Sequence, residues 1–191
     1  MELGAIAIQP TTIYEDIYKN FLKERAIYYN DDIDDSAIDM IAVPIIKMNL
    51  EEANVPEDQL KPIKLYLNTD GGDAFVGMYL TEIIKKSRIP IHIYGLSRVC
   101  SAGLLIFLAG HKRFASSNTV FLLHDGEYIV ANSSGKARDT MKFLEQLEEK
   151  IDSFIKEHTK ISEEQYAEIK RKEFYCFGDT AKELGFVDEI I

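Results

Sequence analysis

The sequence GLSRVCSAGLLIFLAG, at positions 95–110, places small and polar residues directly in front of an unbroken apolar run. Residues 102–110 contain no charge and no hydroxyl group, which predicts a short buried helix. Ser101 stands immediately before that helix. A serine at such a position is often only an N-cap, whose hydroxyl accepts a hydrogen bond from a backbone N–H. It can also be a nucleophile, because the free N–H groups of a helix N-terminus stabilise an oxyanion.

A repeated strand–turn–helix pattern surrounds this stretch. Short apolar segments, each typical of a buried strand, lie at 63–67, 91–94 and 120–123. The first two lead through glycine-containing turns, the second predicted at 95–100, into helical patterns. Alternating strands and helices with short links predict an α/β fold with parallel strands, whose functional residues collect at the carboxyl ends of the strands. Gly72, Ser101 and His124 all lie at these predicted ends.

Composition limits the classes of function. The chain has 191 residues, 46% of them hydrophobic, so we expect one domain spanning residues 1–191. Its 22 Lys and Arg residues against 32 Asp and Glu residues provide no basic surface for nucleic acid. The sequence has neither a signal-peptide pattern nor an apolar run of the roughly 20 residues that span a membrane. We therefore expect a cytoplasmic protein without nucleic-acid or membrane partners.

The two cysteines, Cys100 and Cys176, are far apart and have no His or Cys at ligand spacing. This pattern predicts neither a disulfide framework nor a metal site.

A nucleophilic serine needs a base, and the chain has four histidines. His92 lies within a predicted strand, His111 in a basic turn, and His158 at the end of a long helical pattern, where a cation is favourable. His124 terminates an apolar strand on the side where Ser101 is expected. It is therefore the candidate general base.

A long helical pattern runs from about Lys136 to His158. Its regularly spaced apolar residues are Met141, Leu144, Leu147, Ile151, Phe154 and Ile155. At about 1.5 Å per residue the helix would be roughly 30 Å long, which is more than the core of a small domain requires. Two interpretations remain open: the helix serves an interface, or it packs along the domain with its polar face in solvent.

These segments together resemble ClpP, the proteolytic subunit of the Clp protease. The resemblance rests on their order: paired glycines, Ser-X-Gly opening an apolar helix that ends Ala-Gly, the basic KRFA at 112–115, and a strand ending in His124. Similar text also occurs in YEDIYKNFLKER (14–25), DDIDD (31–35), KLYLN (64–68) and AKELGFVDEI (181–190). The resemblance covers about residues 13–191 and is far more specific than Ser-X-Gly alone.

The resemblance implies a serine endopeptidase with Ser101 as nucleophile and His124 as general base. It implies that the N–H groups of Gly72 and Ala102 form the oxyanion hole, and that no metal or organic cofactor is needed. The implied fold is the spiral of strand–helix units shared with crotonases, with a handle region at about 126–160 that joins two heptameric rings into a tetradecamer. The implied substrate is unfolded polypeptide, delivered by an AAA+ unfoldase.

The third catalytic position departs from the family pattern. Counting back from the closing GFVD at 185–188 without a gap puts the family's aspartate position on Glu173. A glutamate can orient an imidazole and stabilise its cation, although its extra methylene requires a shifted backbone or rotamer. The alternative is a surface glutamate in the polar segment 168–173.

Two further departures lie near the predicted site. Asp70 stands where the family usually has a proline before the paired glycines, and it adds a negative charge there. Asp125 and Gly126 replace the Gln-Pro that usually follows the histidine.

Other functions remain as alternatives. A crotonase-type acyl-CoA hydratase or isomerase also uses paired backbone N–H groups, but it has no Ser–His pair. A non-catalytic ring subunit of the ClpP type would keep the fold without turnover, and the substitution at Glu173 leaves this possibility open. Cys100 is a minor candidate nucleophile, because a thiol at a helix N-terminus is activated; we expect it to be a buried small residue.

Overall fold

The computed structural model describes residues 12–191, which form a seven-stranded sheet with helices packed against it. The strands are β1 (Ala26–Asn30), β2 (Ile63–Thr69), β3 (Ile91–Cys100), β4 (Lys112–Ala115), β5 (Val120–Leu123), β6 (Phe174–Phe177) and β7 (Glu189–Ile190). Five strands follow the order β1-β2-β3-β4-β7, while β5 pairs with β3 and with β6. The pairs are parallel except for β5 with β6. The predicted α/β fold with parallel strands is confirmed.

The helices of the described chain are α1 (Ile13–Lys23), α2 (Asp35–Ala37), α3 (Val43–Glu51), α4 (Ala74–Lys85), α5 (Ala102–Leu108), α6 (Ser134–His158), α7 (Glu163–Ile169) and α8 (Gly178–Glu183). A π-helical turn, Ile38–Ala42, joins α2 to α3, and a 3-10 turn, Glu57–Gln59, precedes β2. Among residues 12–191, none of these helices combines the length and the apolar character that a membrane crossing requires.

The longest strand, β3, has different neighbours along its two halves. Residues 92–95 pair with β4, whereas residues 98–100 pair with β5. The turn predicted at 95–100 is therefore wrong. The backbone stays extended there because β5, a partner distant in sequence, supplies hydrogen bonds to residues whose local preferences favour a turn. The ends of β3 and β5 consequently lie side by side.

A buried threonine occupies the point where β4 and β5 diverge from β3. Gly95 is the last residue of β3 that pairs with β4, and Leu96 follows it between the two ladders. The hydroxyl of Thr119 lies 3.3 Å from the Gly95 carbonyl oxygen and donates to that of Leu96 at 2.7 Å. Because a buried carbonyl without a partner is costly, this side chain allows the sheet to branch inside the core.

The helix α5 lies at the centre of the core, and every one of its residues is buried. It contacts α4, α6, β2, β3 and β5. A helix that is apolar on all sides requires such a site. Phe107 of α5 packs on Phe121 of β5, with ring centroids 5.3 Å apart, and Phe121 in turn packs on Phe186 at 6.2 Å.

The start of α5 lies very close to the end of β2. A Cβ atom at Gly103 would be 2.2 Å from Cγ2 of Thr69. Thr69 is buried, and its Oγ1 accepts a hydrogen bond from the Gly71 N–H at 3.0 Å. The threonine therefore cannot rotate away without losing that bond, so the absence of a side chain at Gly103 sets the distance between the two elements.

The long helix α6 has 25 residues, and its two ends differ. Its buried residues are Leu144, Leu147, Phe154 and Ile155, all in the second part. There Asp152 accepts hydrogen bonds from the Tyr166 hydroxyl at 2.7 Å and from Lys170 Nζ at 2.5 Å. In the first part, residues 134–143, no side chain is buried. The interpretation of packing along the domain therefore holds for the second part, and an interface role for the first part stays a prediction.

We expect Gly103→Ala to lower the free energy of unfolding by about 1–3 kcal/mol, because the new methyl group overlaps Thr69. Urea unfolding at a fixed protein concentration measures the change. Gly135→Ala is the matched control, since a Cβ atom at Gly135, within α6, would meet nothing within 4 Å and alanine favours helix. Equal stability of the Gly103→Ala protein and the parent would contradict the close packing of α5 on β2.

Candidate active site

The adjacent ends of β3 and β5 bring Ser101 and His124 into contact. Cys100 pairs with Leu122, and the Ser101 N–H donates to the Leu122 carbonyl at 3.0 Å. His124 follows two residues later, and its Nε2 lies 2.7 Å from Ser101 Oγ. Both side chains are partly buried. This is the distance that proton transfer between a nucleophilic hydroxyl and a general base requires.

The backbone of Ser101 is strained. Its φ of 53° and ψ of −123° lie in a region that residues with a side chain rarely adopt. Such a conformation costs about 1–3 kcal/mol and persists only where surrounding packing imposes it. Ser101 precedes α5, but its hydroxyl makes no capping hydrogen bond to that helix. The N-cap interpretation is therefore wrong, since the hydroxyl is directed to His124 instead.

Gly72 and Ala102, whose N–H groups are the predicted oxyanion hole, line the same cleft as Ser101. Ile33 forms hydrogen bonds with the residues before and after Gly72. Its N–H donates to the Gly71 carbonyl at 2.7 Å, and its carbonyl accepts from the Asp73 N–H at 2.7 Å. A Cβ atom at Gly72 would be 2.3 Å from the Ile33 carbonyl oxygen. Within residues 12–191 neither the Gly72 nor the Ala102 N–H donates to a protein acceptor, so both remain available to a ligand.

The cleft has a volume of about 470 Å³. Its apolar lining comes from α4, α5, β5 and α6, with the residues Ala74, Phe75, Leu104, Leu105, Leu122, Leu123, Ile151 and Ile155. Asp70, Asp73 and Glu127 are its carboxylate-bearing residues. An apolar cleft with a few polar groups is typical of a binding site. The helix α6 thus contributes to the cleft wall as well as to the core.

Glu173 lies at the edge of this site without touching the imidazole. In the antiparallel pairing of β5 with β6, Leu123 is opposite Phe174, so His124 and Glu173 both adjoin the last pair. Glu173 is exposed, and its carboxylate accepts a long hydrogen bond of 3.5 Å from the Tyr175 hydroxyl. No hydrogen bond joins Glu173 and His124 in the described residues.

Cys100, the residue before Ser101, is buried, with 4% of its surface exposed. Burial, followed by the negative charge of Asp70, raises the pKa of its thiol. A raised pKa lowers the thiolate fraction at neutral pH, and the thiolate is the reactive form. The environment of Cys100 is therefore the opposite of one that activates a thiol.

Two residues that contribute to the site, Ile33 and Arg98, were not predicted from the sequence. Ile33 fixes Gly72 from a loop about forty residues earlier in the chain, and no local pattern marks it. Arg98 forms an ion pair with Asp70, with Nη1 and Oδ1 3.1 Å apart. In the sequence, Asp70 follows the predicted strand 63–67 and Arg98 follows the predicted strand 91–94. Their opposite charges are the signal that could have indicated the pair.

Among residues 12–191, no three His, Cys, Asp or Glu side chains are grouped closely enough to hold a metal ion.

Comparison with known proteins identifies a family. A family model described as Clp protease matches residues 10–191. The ATP-dependent Clp protease proteolytic subunit 2 of Corynebacterium diphtheriae is 26% identical over 179 residues, which cover 93% of this chain and 87% of that protein. The protein of the same description from Corynebacterium efficiens is 26% identical over 178 residues, covering 92% of this chain and 86% of that protein.

We expect Ser101→Gly to be more stable than Ser101→Ala by about 1 kcal/mol, since glycine relieves the strain at φ 53°. Both substitutions remove the hydroxyl, so their difference isolates the backbone effect, and urea unfolding measures it. Ser97→Gly is the control: Ser97 lies within β3, where glycine should destabilise. A Ser101→Gly protein less stable than Ser101→Ala would argue against strain at this turn.

Proposed function

The chain belongs to the Clp protease family of peptidases, and from that premise we propose that it is a serine endopeptidase acting through Ser101 and His124. The observation that carries the proposal is the 2.7 Å contact between Ser101 Oγ and His124 Nε2, at the strained turn in front of a buried helix. A serine hydroxyl becomes a useful nucleophile only when a base of this kind can remove its proton.

In the proposed mechanism, Ser101 Oγ attacks the carbonyl carbon of the scissile peptide while His124 Nε2 takes the hydroxyl proton. The N–H groups of Gly72 and Ala102 donate hydrogen bonds to the oxyanion of the tetrahedral intermediate. The imidazolium then gives its proton to the leaving amine as the C–N bond breaks, which leaves an acyl-serine. Water, activated by the same imidazole, hydrolyses this ester and regenerates the hydroxyl.

Glu173 is proposed as the group that orients His124. Glu173 and His124 are the next residues beyond the last pair of the β5–β6 ladder, Leu123 with Phe174. If the two chains continued in the same register, their Cβ atoms would lie about 4.5–5.5 Å apart. A rotation of the glutamate side chain away from Tyr175 would let it accept a hydrogen bond from Nδ1. Its extra methylene relative to aspartate provides the length for that rotation.

We further propose that the chain works as one subunit of a ring assembly of the family's type, two heptameric rings enclosing a chamber. Exposed apolar residues on α3 and on the first part of α6 support subunit contacts: Val43, Ile46, Leu50, Met141 and Phe143. The relatives are described as ATP-dependent proteolytic subunits. An AAA+ unfoldase would accordingly supply unfolded polypeptide to this chain.

We expect a fluorophosphonate probe to form a covalent adduct on Ser101, because the phosphorus is attacked by the same activated hydroxyl. Mass spectrometry of the peptide that contains Ser101 locates the adduct. His124→Ala should lower the labelling rate by at least about 100-fold, since within residues 12–191 His124 is the base that contacts the hydroxyl.

The control for this experiment is His158→Ala, whose imidazole lies at the end of α6 outside the cleft and should leave labelling unchanged. Labelling that persists in Ser101→Ala, or that maps to Cys100, would overturn the assignment of the nucleophile. A parent protein that neither labels nor cleaves peptides would favour a non-catalytic ring subunit.

We expect Glu173→Gln to lower kcat for a small fluorogenic peptide by about 100-fold or more, with KM little changed, if the carboxylate stabilises the imidazolium. Glu168→Gln, an exposed position of α7, is the matched control and should retain the parent activity. Unchanged hydrolysis by Glu173→Gln would leave Ser101 and His124 acting as a dyad.

A further inference from the structure

An ion pair lies at the rim of the cleft, next to the proposed oxyanion hole. Asp70 follows β2 and lines the cleft, and Arg98 lies on the adjacent strand β3. Their Oδ1 and Nη1 atoms are 3.1 Å apart, and about half of each side chain is exposed, 56% for Asp70 and 52% for Arg98. The mechanism derived above gives neither charge a role.

The backbone geometry places Asp70 close to the reacting atoms. Asp70 directly precedes Gly71, where a Cβ atom would be 2.6 Å from the Cβ of Ser101 and 3.3 Å from the N–H nitrogen of Ala102. One residue further along is Gly72, the other proposed oxyanion donor. The negative charge of Asp70 is therefore carried by the residue next to Gly71, which lies against Ser101, and two residues from Gly72.

The two charges already act on a neighbour of the nucleophile with opposite signs. Burial is the largest cause of the raised pKa of the Cys100 thiol; beyond it, Asp70 raises this pKa and Arg98 lowers it. Cys100 is the residue before Ser101. The negative charge of Asp70 therefore disfavours an anion at Cys100, and the positive charge of Arg98 favours one.

Arg98 is held in position by its backbone. Its N–H donates to Oδ1 of Asn68 at 2.8 Å, and Asn68 Nδ2 donates to Oδ1 of Asn30 at 2.5 Å. Thr69 pairs with Val99, so Asp70, one residue after this pair, and Arg98, one residue before it, lie diagonally across the end of the β2–β3 ladder. The sheet register thus brings the two residues within the distance that their side chains need to form the ion pair.

We propose that Arg98 is an electrostatic positioning residue for the reaction: it neutralises Asp70 and so preserves the positive potential of the oxyanion hole. The inference rests on the proposed serine peptidase function. Negative charge appears on the carbonyl oxygen only in the transition state, so an uncompensated carboxylate nearby slows the chemical step more than it weakens substrate binding. A purely structural role for the pair, holding the turn at Gly71 and Gly72, is the competing explanation.

The two explanations predict different signs for single substitutions. If the pair is structural, Arg98→Gln and Asp70→Asn both break it and both lower activity. If the pair is electrostatic, Arg98→Gln leaves the negative charge of Asp70 uncompensated and lowers activity. Asp70→Asn leaves the positive charge of Arg98 uncompensated and raises activity. The double substitution restores neutrality and should return activity to near the parent value.

The experiment measures kcat and KM for a short uncharged fluorogenic peptide and the rate of fluorophosphonate labelling at Ser101. We expect Arg98→Gln to lower kcat and the labelling rate about three- to tenfold with KM within about twofold, and Asp70→Asn to raise both rates about two- to fivefold. Arg98→Lys, which keeps the charge, should stay within about twofold of the parent. The deficit of Arg98→Gln should shrink in 1 M salt, where the Debye length is about 3 Å.

The matched control is the exposed pair Lys112 and Glu189, 3.0 Å apart and 45% and 52% exposed, which links β4 to β7. Lys112→Gln should change neither rate. Lower activity in Asp70→Asn overturns the electrostatic role, and this variant decides the matter even if Arg98→Gln fails to fold. A parent protein that is not labelled at Ser101 overturns the proposed function together with this inference, whereas normal labelling with unchanged rates in both single variants overturns the inference alone.

Discussion

The parallel pairing between the end of β3 and the end of β5 is the constraint on which the rest of the site depends. It sets Cys100 opposite Leu122, so that the next residues of the two strands emerge at one edge of the sheet. The Ser101 N–H continues this pairing to the Leu122 carbonyl. A shift of register by one residue would turn His124 to the other face of the sheet and separate it from Ser101.

This pairing is possible because β3 pairs with β4 along its first part and with β5 along its second part. The change of partner from β4 to β5 leaves Leu96 and Ser97 of β3 paired with neither of these strands. The fully buried Thr119 donates a hydrogen bond to the Leu96 carbonyl at this point. The contact between Ser101 and His124 therefore depends on a residue that does not line the cleft.

The site combines a closely packed core with a strained backbone at Ser101. Ser101 adopts a strained backbone, and Gly72 lies against Ile33 so closely that a side chain could not be accommodated. The buried helix α5 behind Ser101 provides the packing that can hold such a conformation. In contrast, Glu173, Asp70 and Arg98 are exposed and lie around the rim, where side chains can rearrange or be screened by solvent. The main chain and the core thus fix the positions of Ser101 and Gly72, whereas the charged side chains around them lie at the surface.

The sequence by itself determined the parallel α/β class, the buried helix after Ser101 and the candidacy of His124, because apolar segments, glycine turns and strand ends are local signals. It misassigned residues 95–100 as a turn, since the partner strand that keeps them extended comes twenty residues later. It also gave no sign of Ile33 behind Gly72 or of Thr119 at the fork. Whether Ser101 caps its helix or faces an imidazole was decided only by the tertiary structure, because both outcomes fit the same local pattern and long-range strand register selects between them.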